Sequence, residues 1–168
     1  MPHPEGGFFI ESDRSAETIS TGNLPSRYSG VRAFGTAIYY PLTPDGFSAL
    51  HRVKSDEVFH HYLGDPVELV TLWPDGSVRS VVVGSDLVAG QVPQAVVPAG
   101  VWQGLRLYGA GRLDGRPGDE AADGPAGGAS GRATTNDRFG YSLFGTTVAP
   151  GFEYDDFELG KRAELLAA

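Results

Sequence analysis

Three of the chain's four histidines, His51, His60 and His61, fall close together, with Glu57 between them. An imidazole can take or give a proton near neutral pH, and a carboxylate beside it can orient the ring and stabilise the imidazolium. The residues around them read as two short strands, 47–53 and 57–63, flanking the polar turn Lys54-Ser55-Asp56. Strand side chains alternate between faces. Phe47, Ala49, His51 and Val53 therefore share one face, and Glu57, Phe59, His61 and Leu63 share another. A hairpin joining the strands would set His51 and Glu57 on a common apolar wall. An ionisable pair there costs free energy unless it is hydrogen-bonded or has a chemical task. His60 is one step out of phase and is expected to point away, toward a structural or subunit contact. The plain alternatives are a satisfied core histidine at position 51 and an ion pair of Glu57 with Arg52, Lys54 or Arg106.

Other chemistries have less support. There is no cysteine, so neither thiol catalysis nor a disulfide framework is available. No Gly-x-Ser-x-Gly nucleophile motif and no Gly-x-x-x-x-Gly-Lys phosphate loop occurs. Tyrosines are plentiful, and Tyr39, Tyr40, Tyr62, Tyr108 and Tyr141 are each candidates for an acid facing a histidine base.

The elements that must position these groups are strands. The chain has 168 residues, enough for one domain with a proper core. Glycine (24) and proline (12) mark many turns, while helix-period stretches are scarce, which predicts an all-β sandwich or barrel. Turn signals at Pro44-Asp45-Gly46, Pro74-Asp75-Gly76 and Pro98-Ala99-Gly100 separate the strand patterns. From about 109 to 137 the chain is rich in glycine, alanine and aspartate and reads as a long insertion between the last two strands. After Ala149-Pro150-Gly151, Asp155 or Asp156 is placed to cap a short C-terminal helix through Glu164. The net charge of −8 at pH 7 speaks against a general nucleic-acid binder. No apolar run is long enough to span a membrane and no secretory signal pattern opens the chain, so a cytoplasmic setting is expected.

A family resemblance adds to this reading. His51, Glu57 and Gly64 fall on the first motif of the cupins, a glycine, His-x-His, a glutamate and a closing glycine, with Val53 in place of the second histidine. Pro98-Ala99-Gly100-Val101-Trp102-Gln103 resembles the second motif, Pro-x-Gly-x-x-His, with Gln103 in place of its histidine. A closer likeness is to a cupin subfamily of the DUF985 type. It rests on His3-Pro4-Glu5-Gly6-Gly7-Phe8-Phe9, the turn from Lys54 to Val58, the stretch from Pro93 to Gln103, and Thr147-Val148-Ala149-Pro150-Gly151-Phe152. The resemblance implies a jelly-roll barrel, a double-stranded β-helix, with a pocket in its lumen.

It also implies that His51, Glu57, His61 and Gln103 face that lumen and that Glu5 and Glu11 lie near its mouth. Phe59 shares the face of Glu57, and Lys54 sits at the turn where it can shape the mouth. A cupin metal usually has three histidines and a glutamate. Only His51, Glu57 and Gln103 occupy ligand positions here, and an amide is a poor ligand for a catalytic transition metal. No cofactor is expected, with a divalent metal on those three residues as the lesser possibility. The expected function is metal-independent acid–base chemistry, of isomerase, epimerase, lyase or cyclase type, on a small polar metabolite, with His51 and Glu57 catalytic. The alternatives are a non-catalytic small-molecule binding protein and a metal-dependent cupin oxygenase. The resemblance further implies a homodimer; aromatic residues such as Phe8, Phe9, Trp73 and Trp102 exceed what one small lumen needs.

Overall fold

The computed structural model describes residues 1, 3–109, 139–161 and 163. The strands, in chain order, are β1 (Ile10–Arg14), β2 (Thr18–Ile19), β3 (Arg32–Ala33), β4 (Thr36–Leu42), β5 (Phe47–Arg52) and β6 (Asp56–Gly64). They continue with β7 (Val67–Leu72), β8 (Val78–Val83), β9 (Gln94–Val97), β10 (Trp102–Leu107), β11 (Ser142–Ala149) and β12 (Glu158–Leu159). Two antiparallel five-stranded sheets, ordered β1-β4-β11-β6-β9 and β12-β5-β10-β7-β8, face each other as a jelly-roll barrel. No described helix is long and apolar enough to cross a membrane.

Alternation explains the interior. Gln103, Leu105 and Leu107 of β10 are buried, as are Tyr40 and Leu42 of β4 and Glu57 and Phe59 of β6. Gln103 of β10 and Tyr40 of β4 thus lie toward one end with aliphatic residues toward the other, and β6 places Glu57 before the Phe59 ring. Leu42, Val67, Leu69, Val83, Leu105 and Leu107 close the aliphatic end. Phe59 and Phe144, each 1% exposed, divide it from the polar end. Truncating such a ring to alanine typically costs about 3–5 kcal/mol.

Two expectations are corrected here. The segments 47–53 and 57–63 do not form a hairpin: β5 and β6 belong to opposite sheets. The residues between them make a corner. The buried Ser55 hydroxyl donates to the Pro150 carbonyl at 2.8 Å and meets the Tyr28 hydroxyl at 2.8 Å, while the Lys54 carbonyl accepts from Arg27 and Tyr28. These tertiary bonds satisfy the polar turn without strand pairing. Second, Asp155 and Asp156 do not begin a helix at the C-terminal end. They lie in a single 3₁₀ turn, Tyr154–Asp156, followed by β12 on the edge of β5. Arg32 holds Asp156 with two 2.6 Å bonds, which fixes that carboxylate as an ion-pair partner. Of the remainder of the expected helix through Glu164, residues 157–161 are not helical, Ala163 is, and 162 and 164 lie outside the described residues, as does all but the first residue of the insertion at about 109–137.

Candidate functional site

The open end of the barrel holds a cavity of about 250 Å³. His51 and Glu57, 3% and 7% exposed, reach it from opposite sheets, and Gln103, 0% exposed, bridges them but, contrary to expectation, does not itself line the cavity. Gln103 lies opposite His51 in the pairing of β10 with β5. Its amide nitrogen stands 3.2 Å from His51 Nε2 and donates to Glu57 Oε2 at 2.5 Å. Its Oε1 is buried with no hydrogen-bond partner among the described residues.

The other end of the imidazole is held from the N-terminal segment. His51 Nδ1 lies 2.8 Å from the Ala49 carbonyl and 3.1 Å from Glu5 Oε2. A carbonyl only accepts, so Nδ1 carries the hydrogen and the lone pair of the neutral ring sits on Nε2. Glu5 also receives the Ser48 hydroxyl at 2.9 Å and faces His3 Nδ1 at 3.3 Å. The segment reaches this far because it is strapped across the barrel mouth. Ala49 N donates to the Glu5 carbonyl, and the Tyr40 hydroxyl donates to the Gly6 carbonyl. Gly7, at φ +65°, passes so close to the Tyr40 ring that a Cβ would lie 2.6 Å from it. Only glycine accommodates both conditions.

The two carboxyl groups are driven in opposite directions. Burial pushes Glu57 above the ordinary carboxylate range and the nearby negative Glu5 adds to this, against the pull of His51, Thr146 and Gln103. Burial also acts to raise Glu5, but the His3 hydrogen bond, the charges of His51 and His3, and the Ser48 hydroxyl together outweigh it and hold Glu5 low. Burial and the Glu5 charge raise the Tyr40 hydroxyl, which stays protonated. Pairs of groups pushed apart in this way are the usual mark of an assigned acid and base.

A pH prediction follows for stability. Glu57 binds protons more tightly in the folded state than in the unfolded chain, so stability falls as pH rises from the ordinary carboxylate value through the raised one. Glu57→Gln is therefore expected to raise the urea midpoint at neutral pH and to lose that gain in acid. Glu5 has the opposite sign: its contribution is present above the ordinary value and disappears as pH falls through the lowered one. A Glu57→Gln midpoint below wild type at neutral pH would contradict the assignment.

Among the other residues expected at the site, Phe59 and Glu11 line the cavity, Glu11 at its mouth in an ion pair with Arg14. His61 does not line it. Parity sets its face but not its depth: four residues beyond Glu57 is roughly 13 Å along a strand. There its Nε2 meets the Asp65 carbonyl at 3.2 Å. Lys54 is absent from the lumen as well, because the corner carries it to an outer groove, 3.5 Å from Asp156. His60 lies on the outer face, bonded to Thr147 and Gln94 and stacked on Tyr62. Of the seven tyrosines, Tyr40 and Tyr154 line the cavity. Sequence reasoning missed His3 and Phe157 as site residues and took Glu57 as the partner that orients His51. The glutamate in that position is Glu5. The motif His3-Pro4-Glu5-Gly6-Gly7 held the signal, since paired glycines after an ionisable pair mark a close backbone approach.

The donor set does not fit a cupin-type metal. His51 Nδ1 faces a carbonyl, its Nε2 faces an N–H donor, and the aliphatic Val53 lines the lumen where a second histidine would stand. Among the described residues no group of three or more His, Cys, Asp or Glu side chains is placed to hold a metal ion.

Comparison with known proteins agrees with the fold. Residues 1–160 match the family Cupin_5, described as Cupin superfamily (DUF985). The uncharacterized protein YML079W of Saccharomyces cerevisiae is 31% identical over 161 residues, covering 93% of this chain and 68% of its own length. A hypothetical protein from Leishmania major superposes with a TM-score of 0.74 at 31% identity, covering 99% of this chain and 85% of that one. The protein SO0799 of Shewanella oneidensis gives 0.70 at 30% identity, covering 99% and 82%. With its barrel, its strapped N-terminal motif and a match over nearly the whole length, this chain belongs to the Cupin_5 (DUF985) family of the cupin superfamily.

Proposed function

We propose that the lumen carries out metal-independent proton transfer on a small molecule, as an isomerase, epimerase, lyase or cyclase. The observation that supports this most is the continuous chain Glu5–His51–Gln103–Glu57, which ends at the cavity on two groups of opposite proton affinity. Ionised Glu5 holds the Nδ1 hydrogen of His51 and stabilises the imidazolium that forms when Nε2 takes a proton. Gln103 keeps Glu57 as a partner when a substrate competes with it for the Nε2 lone pair. Glu57, neutral and supported through Oε2, supplies a proton from Oε1 to the opposite side of the reacting group. One proton leaves and one arrives, so no redox partner is needed.

The test is incubation of purified protein with a metabolite mixture in heavy water, followed by mass spectrometry of both bound and free compounds. Deuterium uptake or conversion that depends on His51 is expected. Retention of a compound without exchange or conversion favours the second reading, a binding protein, for which the two unfilled metal-ligand positions speak. We also propose a homodimer. Ile10, Tyr39, Tyr62 and Val96 are exposed on the β1-β4-β11-β6-β9 sheet, with Tyr39 packed on Tyr62 at 5.8 Å, and two-fold pairing is the commonest use of such a surface. Sedimentation at micromolar concentration is expected to give twice the chain mass, and a monomer there counts against it.

A further inference from the structure

Building on that acid–base reading, we propose that the substrate is an uncharged molecule with a planar body of one or two rings and a single carbonyl group. Aromatic side chains make up much of the cavity wall. Phe157 stacks on His51, with centroids 5.5 Å apart and planes at 26°, and meets His3 edge-on at 5.8 Å. His3 in turn adjoins Tyr40 at 6.0 Å, Tyr40 stacks on Phe144 at 5.0 Å, and Phe144 is tilted against Phe59 at 6.2 Å. A planar ring gains offset-stacked and edge contacts between such walls that a polyhydroxylated chain does not.

Charge narrows the class further. Arg14 is the single Lys or Arg among the lining residues, and its guanidinium is held by Glu11 at 2.8 Å and Glu153 at 2.8 Å. His3 and His51 share the one carboxylate of Glu5. The Met1 ammonium also lines the cavity, at its exposed end, and donates to the Phe9 carbonyl at 2.8 Å. An anionic ligand therefore finds no buried cation free to receive it. A cationic ligand fares no better: both Glu5 oxygens are taken by Ser48 and the imidazoles, and Glu57 Oε2 is taken by Gln103. Burial without a free counter-charge is costly for either sign. A single carbonyl oxygen, by contrast, can accept from the Glu57 carboxyl in its protonated form, beside the Thr146 hydroxyl that also bonds to it. The volume of about 250 Å³ lies just under the usual range of roughly 300–1,000 Å³ for ligand pockets, which suits one or two rings and not a sugar nucleotide.

The test uses three ligands of nearly one shape: 2-tetralone (neutral), 2-naphthoate (anionic) and 2-aminotetralin (cationic), each titrated calorimetrically into the full-length protein at neutral pH. 2-Tetralone is expected to bind about tenfold tighter than either charged probe. Phe157→Ala is expected to weaken it by about tenfold. If that variant fails to fold, Phe157→Leu keeps the bulk, loses the ring and is expected to weaken binding in the same direction. Equal or tighter binding of 2-naphthoate or 2-aminotetralin overturns the inference, as does no binding of 2-tetralone or no effect of removing the ring. Deuterium uptake at C1 of 2-tetralone in heavy water, above buffer and above His51→Ala protein, reports the proton transfer separately. Tight binding without uptake keeps the ligand class and overturns the acid–base reading. Uptake with 2-naphthoate bound more tightly does the reverse.

Discussion

Replacing His51 by alanine is expected to lower turnover by about 10²–10⁴-fold while leaving the barrel folded. His51 Nε2 carries a lone pair that a substrate can claim at the cavity, whereas the Glu5 oxygens are already engaged and Glu57 is driven toward its neutral form. The fold is expected to survive because the ring borders an existing cavity, so its removal enlarges that space and opens no new void in the aliphatic core. Glu5 keeps His3 and Ser48 as partners after the change. Initial rates on the substrate found by deuterium exchange, read beside a thermal melt, decide the matter. Full activity in a folded His51→Ala protein sinks the assignment.

Asp156→Ala is expected to cause a large loss of stability, about 3–5 kcal/mol. Asp156 and Arg32 are 5% and 2% exposed and joined by two bonds of 2.6 Å. Removing the carboxylate leaves a buried guanidinium with Val31 O as its remaining hydrogen-bond partner among the described residues, Tyr28 beneath it at 5.4 Å, and the Glu153 and Asp155 charges nearby. An exposed pair would cost far less, about 1 kcal/mol at most. The cost also reaches the site, because Asp156 precedes Phe157, whose ring stacks on His51. Urea unfolding of Asp156→Ala, Arg32→Met and the double variant Arg32→Met/Asp156→Leu separates the terms. The double variant is expected to recover most of the loss, since an apolar pair of similar volume often replaces a buried ion pair without penalty. A loss below about 1 kcal/mol for Asp156→Ala would class the pair with surface contacts.

Strand alternation was readable in the chain because it is local. It grouped Glu57 with Phe59 and set His60 on the opposite face, the family resemblance turned His51, Glu57 and Gln103 inward, and the proline, glycine and aspartate turns marked where strands end. The motif spacing carried the family. Which sheet each strand joins was not local, so β5 and β6 read as a hairpin although a corner tied by Tyr28, Ser55 and Pro150 sends them to opposite sheets. Depth along a strand was equally hidden, and His61 shares the face of Glu57 while sitting past Phe59 beside Asp65. The most informative contacts join distant parts of the chain: Ser48 to Glu5 across 43 residues, and Arg32 to Asp156 across 124. Periodicity has a reach of a few residues. The tertiary structure alone therefore decided that Glu5 and not Glu57 holds the His51 ring, and that Tyr40 and Phe157 close the pocket around it.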